Sequence, residues 1–132
     1  MKGLGATIPK GVTIGTQCVC SDNSGAKIVE LIGVINTKGK RGMRPKIGIG
    51  DICIVAVKKG VPAMKKKVAR ALIVRQRQPF RRASGLHVQF DDNAAVLVDD
   101  TGLPIGTEIK GAVAREVADR YPKVAAIAAA VV

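Results

Sequence analysis

Apolar positions fall into short runs broken by polar turns over the first hundred residues, then change period near the C-terminus. Thr13 to Ser21 is rich in Val, Ile, Thr and Cys and reads as a strand. Asp22-Asn23-Ser24-Gly25 is turn chemistry: short side chains that bond nearby backbone, then a glycine free to take positive φ. Ala26 to Ile35, Asp51 to Val57, Val68 to Arg77, Leu86 to Phe90 and Ala94 to Val98 are further strand candidates. Lys58-Lys59-Gly60, Gln78 to Gly85 and the stretches 99–102 and 103–106 separate or follow them as turns. From Gly111 the pattern becomes helical, with Val113, Val117 and Tyr121 at i, i+4 and i+8 and charged residues between. Pro122 interrupts that helix, and Val124 to Val132 is read as a short second one. Several short strands followed by helices predict a mainly β fold: a small β-barrel over about 1–110 with a helical portion over about 111–132.

At 132 residues and 13.8 kDa the chain has the length of one domain, and 47% hydrophobic residues suffice for a packed interior. The longest apolar run, Val124 to Val132, is far short of the ~20 residues a spanning helix needs. No apolar core of a signal peptide lies between Met1 and Gly15, so a soluble, cytoplasmic protein is expected. The spacing of Cys18, Cys20 and Cys53 matches no zinc pattern, and reduced, buried thiols are expected.

Charge changes the picture most. The net charge is +12, yet residues 31–90 hold fifteen basic side chains against one acidic, Asp51, while residues 91–132 are net acidic. A field so concentrated repels itself, and a polyanion relieves it while releasing counterions. The 15-residue stretch Asn36 to Gly50 has no usable period, and a long irregular loop of this kind is commonly functional.

Enzymatic chemistry finds little support. The pairs Asp91-Asp92 and Asp99-Asp100 lie in turn-like sequence, and adjacent strand residues point to opposite faces. His87 is the only histidine, and Gly48-Ile49-Gly50-Asp51 precedes a strand where a dinucleotide fingerprint needs a helix. No catalytic residue, metal site or cofactor is therefore expected. Phe80, Phe90 and Tyr121 are the only aromatics, too few for a multi-base stacking platform. What remains is Lys and Arg reading phosphates and the shape of folded RNA: Lys38, Lys40, Arg41, Arg44 and Lys46 in the long loop, Lys59, Lys65, Lys66 and Lys67 in a second cluster, and Arg75, Arg77, Arg81 and Arg82 in a third. A DNA-compacting protein is the competing reading of this charge. It is weakened because no helix is basic enough to enter a major groove. In the C-terminal third, the stripe of Val113, Val117 and Tyr121 either caps the barrel or forms a protein-docking surface.

An ordered set of motifs spans about residues 14–120. Ala71-Leu72-Ile73-Val74, Ser84-Gly85, Phe90, Asn93 and Val96-Leu97 form one group. Asp22-Asn23-Ser24-Gly25-Ala26, Gly48-Ile49-Gly50-Asp51, and Gly106-Thr107 leading to Gly111, Val113, Arg115 and Glu116 form the others. Together they resemble the signature of the universal large-subunit ribosomal protein fourteen family, in its archaeal/eukaryotic type given the long 36–47 loop and extended N-terminus. The resemblance implies a five-stranded barrel with a C-terminal helical portion, bound to large-subunit ribosomal RNA. It also implies contacts with small-subunit ribosomal RNA in intersubunit bridges, with large-subunit protein three and with the anti-association initiation factor. Asn93 and Phe90 would be scaffold and the basic loop residues RNA contacts. Glu108 and Ala112 replace an arginine and a proline of the bacterial pattern, so a bacterial-style contact at that corner is not expected.

Overall fold

The computed structural model describes residues 8–35 and 45–132. In chain order its strands are β1 (Val12–Thr13), β2 (Gln17–Cys20), β3 (Ala26–Val34), β4 (Lys46–Ile47), β5 (Ile52–Gly60) and β6 (Val68–Arg75). β7 (Phe80–Arg81), β8 (His87–Val88), β9 (Ala94–Val98) and β10 (Ile109–Val113) follow, then helices α1 (Arg115–Arg120) and α2 (Pro122–Ala126) and strand β11 (Ala128–Val131). The expected five-stranded barrel is present as the closed order β2-β3-β5-β6-β9.

Closure depends on a short parallel seam in which Val19 pairs with Ala94 and Cys20 with Ala95. Side chains extend that seam. Where β2 ends, the buried Asp22 carboxylate accepts the Leu97 N–H at 3.0 Å through Oδ2, while its Oδ1 accepts the Ser24 backbone N–H and hydroxyl. The turn residue thus continues the ladder that the backbone can no longer make. Next to it, Asn23 Oδ1 accepts the Thr107 N–H at 2.9 Å and its Nδ2 donates to the Thr107 hydroxyl at 2.8 Å. A Cβ on Gly106 would lie 2.8 Å from Asn23 Oδ1, so a side chain at that crossing would displace the Asn23 amide from Thr107.

Strand composition separates two cores. β2 and β5 alternate between buried and more exposed positions, as strands with one covered face do. β9 is buried throughout and β6 along its central residues. Ala71, Ile73, Ala95 and Leu97 join Cys18, Val29, Leu31, Cys53 and Val55 in the barrel interior. Leu72, Val74, Ala94, Val96 and Val98 face outward and are covered by Ile109, Val113, Ala114, Val117 and Val124.

That cover departs from the sequence expectation in two places. Val113 ends a strand instead of opening a helix, and Gly111, at φ +80°, sits in the irregular step between Ile109 and Ala112. Pro122 occupies the first turn of α2, where its missing N–H costs nothing. The alanine-rich tail is not one helix: after α2 it turns into β11 and pairs parallel with β10.

All three cysteines are reduced and buried. Burial pushes the Cys18 thiol up to about 11 and those of Cys20 and Cys53 up to about 12, from 9.0. A raised folded-state value means that the folded chain holds these protons more tightly than the unfolded one. Their contribution is complete below pH 9 and is lost as pH rises toward 12. Thiol reagents at pH 8 are expected to label the native chain only as fast as it unfolds, and urea midpoints to fall steeply above pH 9. Rapid labelling of the native chain at pH 8 would contradict the placement of these residues.

Candidate nucleic-acid interface

The second basic cluster stands on the turn joining β5 to β6. Backbone bonds wind this turn tightly: Lys65 N–H donates to Val61 O at 3.0 Å, Lys66 N–H to Val57 O at 2.9 Å, and Val57 N–H to Lys67 O at 2.9 Å. Lys66 adopts φ 67°, a left-handed conformation that costs a non-glycine residue energy and is held by these bonds. Val61 N–H also donates to Gly25 O at 3.0 Å, and a Cβ on Gly25 would lie 2.7 Å from Val61 Cγ2. The glycine of the first turn thereby anchors the lysine tip. Lys59, Lys65, Lys66 and Lys67 are exposed and form no ion pair among the described residues, whereas Lys58 pairs with Glu30 at 3.1 Å.

The third cluster divides by role. Arg77 and Arg81 are exposed, the latter opposite His87 on the β7–β8 hairpin. Arg75 and Arg82 are engaged inside the chain. Arg75 binds both oxygens of Asp92, at 3.0 and 3.3 Å, and donates to the Ser21 hydroxyl and to the carbonyls of Lys110 and Ala112. Arg82 pairs with Glu116 at 2.8 and 3.3 Å, donates to the Val132 oxygen at 2.6 Å and lies 5.6 Å from the Phe80 ring centroid. Their partners lie 17 and 34 residues away, a relation that no local pattern reveals. Lys46 is exposed at the start of β4; Lys38, Lys40, Arg41 and Arg44 lie outside the described residues.

Charge segregation along the sequence is only partly spatial. Val98 pairs with Arg70, and Asp100 just beyond it reaches Arg70 Nε at 3.2 Å, close to the base of the lysine tip. Cations therefore lie at both ends of β6, which at ~3.3 Å per residue spans roughly 26 Å.

The proposed docking stripe belongs to the interior. Val113 and Val117 are 0% exposed, so they hold the C-terminal cap against the barrel and offer no surface to a partner; Tyr121 alone is partly exposed. Asn93 serves as scaffold: its Oδ1 accepts the Arg77 N–H at 2.9 Å and its carbonyl accepts the Val19 N–H at 3.0 Å. Phe90 packs on the outer core. Among the described residues, no group of three or more His, Cys, Asp or Glu is arranged to hold a metal ion. None of the described helices is long and apolar enough to cross a membrane.

Comparison with known proteins agrees with this architecture. The chain is 50% identical to the large ribosomal subunit protein uL14 of Methanospirillum hungatei and to that of Methanoregula boonei, and 48% identical to that of Thermoplasma volcanium. Each alignment covers the whole of both chains. The profile of the family described as ribosomal protein L14p/L23e matches residues 11–132. With the motif residues placed at the barrel seam, in the barrel strands and in the C-terminal cap, and with relatives this similar over their full length, the chain belongs to the ribosomal protein L14p/L23e family.

Proposed function

We propose that this protein is a structural constituent of the large ribosomal subunit that binds large-subunit ribosomal RNA and contributes to intersubunit bridges with small-subunit ribosomal RNA. Membership of the family makes it a non-enzymatic ribosomal component, at work in the cytoplasm on the ribosome. The observation that carries the RNA reading is the tip at 61–67, where exposed lysines without carboxylate partners among the described residues are held on a hydrogen-bonded turn. A cationic surface held rigid in advance loses little entropy on meeting phosphates. The contact set proposed from the described residues is Lys46, Lys59, Lys65, Lys66, Lys67, Arg77 and Arg81, with the loop residues Lys38, Lys40, Arg41 and Arg44 added from the sequence. Contacts with large-subunit protein three and with the anti-association initiation factor rest on the family resemblance. They need a surface other than Val113 and Val117.

Replacing Lys65, Lys66 and Lys67 together with alanine tests the reading. Binding to large-subunit ribosomal RNA should weaken, and the slope of log K against log salt should fall by about 0.7–0.9 for each phosphate no longer neutralised, up to roughly 2–3 in all. An unchanged slope would remove the tip from the interface. Co-sedimentation with large subunits through moderate salt is expected. Recovery on chromosomal DNA instead would favour the DNA-compacting alternative.

A further inference from the structure

We propose that a cleft beside β4, the start of β5 and the end of α1 seats a single nucleotide of the bound RNA, turned out of its stack. The inference rests on the RNA-binding reading of the lysine tip. The cleft holds about 350 Å3, the size of a small-ligand site, and its walls divide by chemistry. Ile52 and Tyr121 supply apolar and aromatic surface over the buried Ile47, and Lys46, Arg70 and Arg120 supply three cations. Asp51 is the one carboxylate lining it among the described residues, and that group is already engaged: it accepts the Gly48 N–H at 3.0 Å, pairs with Lys10 and lies 3.9 Å from Arg120 Nη1. Arg70 pairs with Asp100, whose side chain is 88% exposed, and a solvent-exposed pair of this kind is readily exchanged for a phosphate.

Arg120 provides the second observation. Its Nη1 donates to Gly50 O at 3.3 Å, but its buried Nε–H finds no acceptor among the described residues. Nη1 also lies 3.9 Å from Asp51 Oδ1, so the guanidinium is fixed by Gly50 and Asp51 as a flat cationic part of the cleft wall. The neighbouring Tyr121 ring lies against Gly102, where a Cβ would approach it to 3.2 Å. Unstacked bases of folded RNA settle on aromatic rings and guanidinium planes, and their phosphates settle on cations. A bare phosphate would leave the apolar wall uncovered. A nucleotide meets both halves.

The test uses large subunits carrying the wild-type chain, Tyr121→Phe, Tyr121→Leu or Arg70→Gln, probed by 2′-hydroxyl acylation and by ultraviolet crosslinking. One large-subunit nucleotide should become several-fold more reactive in Tyr121→Leu and in Arg70→Gln, stay protected in Tyr121→Phe, and crosslink to Tyr121 in the wild type. Should Tyr121→Leu fail to enter subunits, Arg70→Gln, on a half-exposed strand position, carries the same readout. If the variants assemble and no nucleotide changes reactivity, the proposal falls, while the lysine-tip salt slope still reports on RNA binding by itself. A Tyr121 crosslink to residues 36–44 of this chain in place of RNA would also overturn it.

Discussion

Val117→Asp is expected to destabilise the chain by about 4 kcal/mol or more, a large share of the ~5–15 kcal/mol available to a domain. Val117 is 0% exposed and lies among Val113, Ala114, Val124 and the outward-facing residues of β6 and β9. The substitution removes apolar packing and places a carboxylate where no partner is positioned for it, which is costly whether the group ionises or stays neutral. The cap should detach while the barrel interior, a separate cluster, is weakened less. Urea unfolding followed by far-ultraviolet circular dichroism would show the lowered midpoint. A midpoint within about 0.5 kcal/mol of wild type, with binding to a protein partner abolished, would return this stripe to the surface and sink the assignment of the cap to the core.

Strand patterns carried most of the barrel. The alternation in β2 and β5 and the unbroken apolar runs Ala71-Leu72-Ile73-Val74 and Ala94 to Val98 are local properties, visible without the fold. What covers the outer faces of those two runs was visible only as one of two alternatives for the Val113, Val117 and Tyr121 stripe, because the choice depends on the return of the chain from β10 through β11. The tail shows why. Alanine favours helix more than any other residue, yet Ala128 to Ala130 form a strand, because β10 offers a free edge that satisfies their backbone groups. Tertiary opportunity outweighs a propensity of a few tenths of a kcal/mol per residue.

Residues of the proposed contact set were legible to the extent that their partners were absent. Lys59 and Lys65 to Lys67 meet no acid nearby in sequence and, among the described residues, none in space. Arg75 and Arg82 look the same in the sequence, with Asp92 and Glu116 counted in a separate acidic segment. Folding cancels those charges pairwise, which a segment-by-segment charge count misses. Arg70 and Arg120 escaped notice for the converse reason: single cations in a strand and a helix form no cluster until the cleft brings them together.

Arg75→Gln follows from that distinction, and should lower stability by roughly 2–3 kcal/mol while leaving the salt slope of RNA binding unchanged. The guanidinium fork joins three parts of the fold: Asp92 ahead of β9, Ser21 at the end of β2, and the β10 carbonyls of Lys110 and Ala112. Both carbonyls come within reach because Gly111 between them adopts φ +80°, and a Cβ at that position would collide with the Arg75 guanidinium. Gln is shorter and carries no charge, so Asp92 is left without its ion pair and the carbonyls without their donor. Asp92 is 41% exposed, so water makes good part of the deficit, and the expected cost stays below that of breaking a fully buried pair. Urea unfolding and a salt titration on the same preparation separate the two roles. A slope reduced by about 0.7–0.9 with unchanged stability would place this guanidinium on a phosphate instead of in the frame of the molecule.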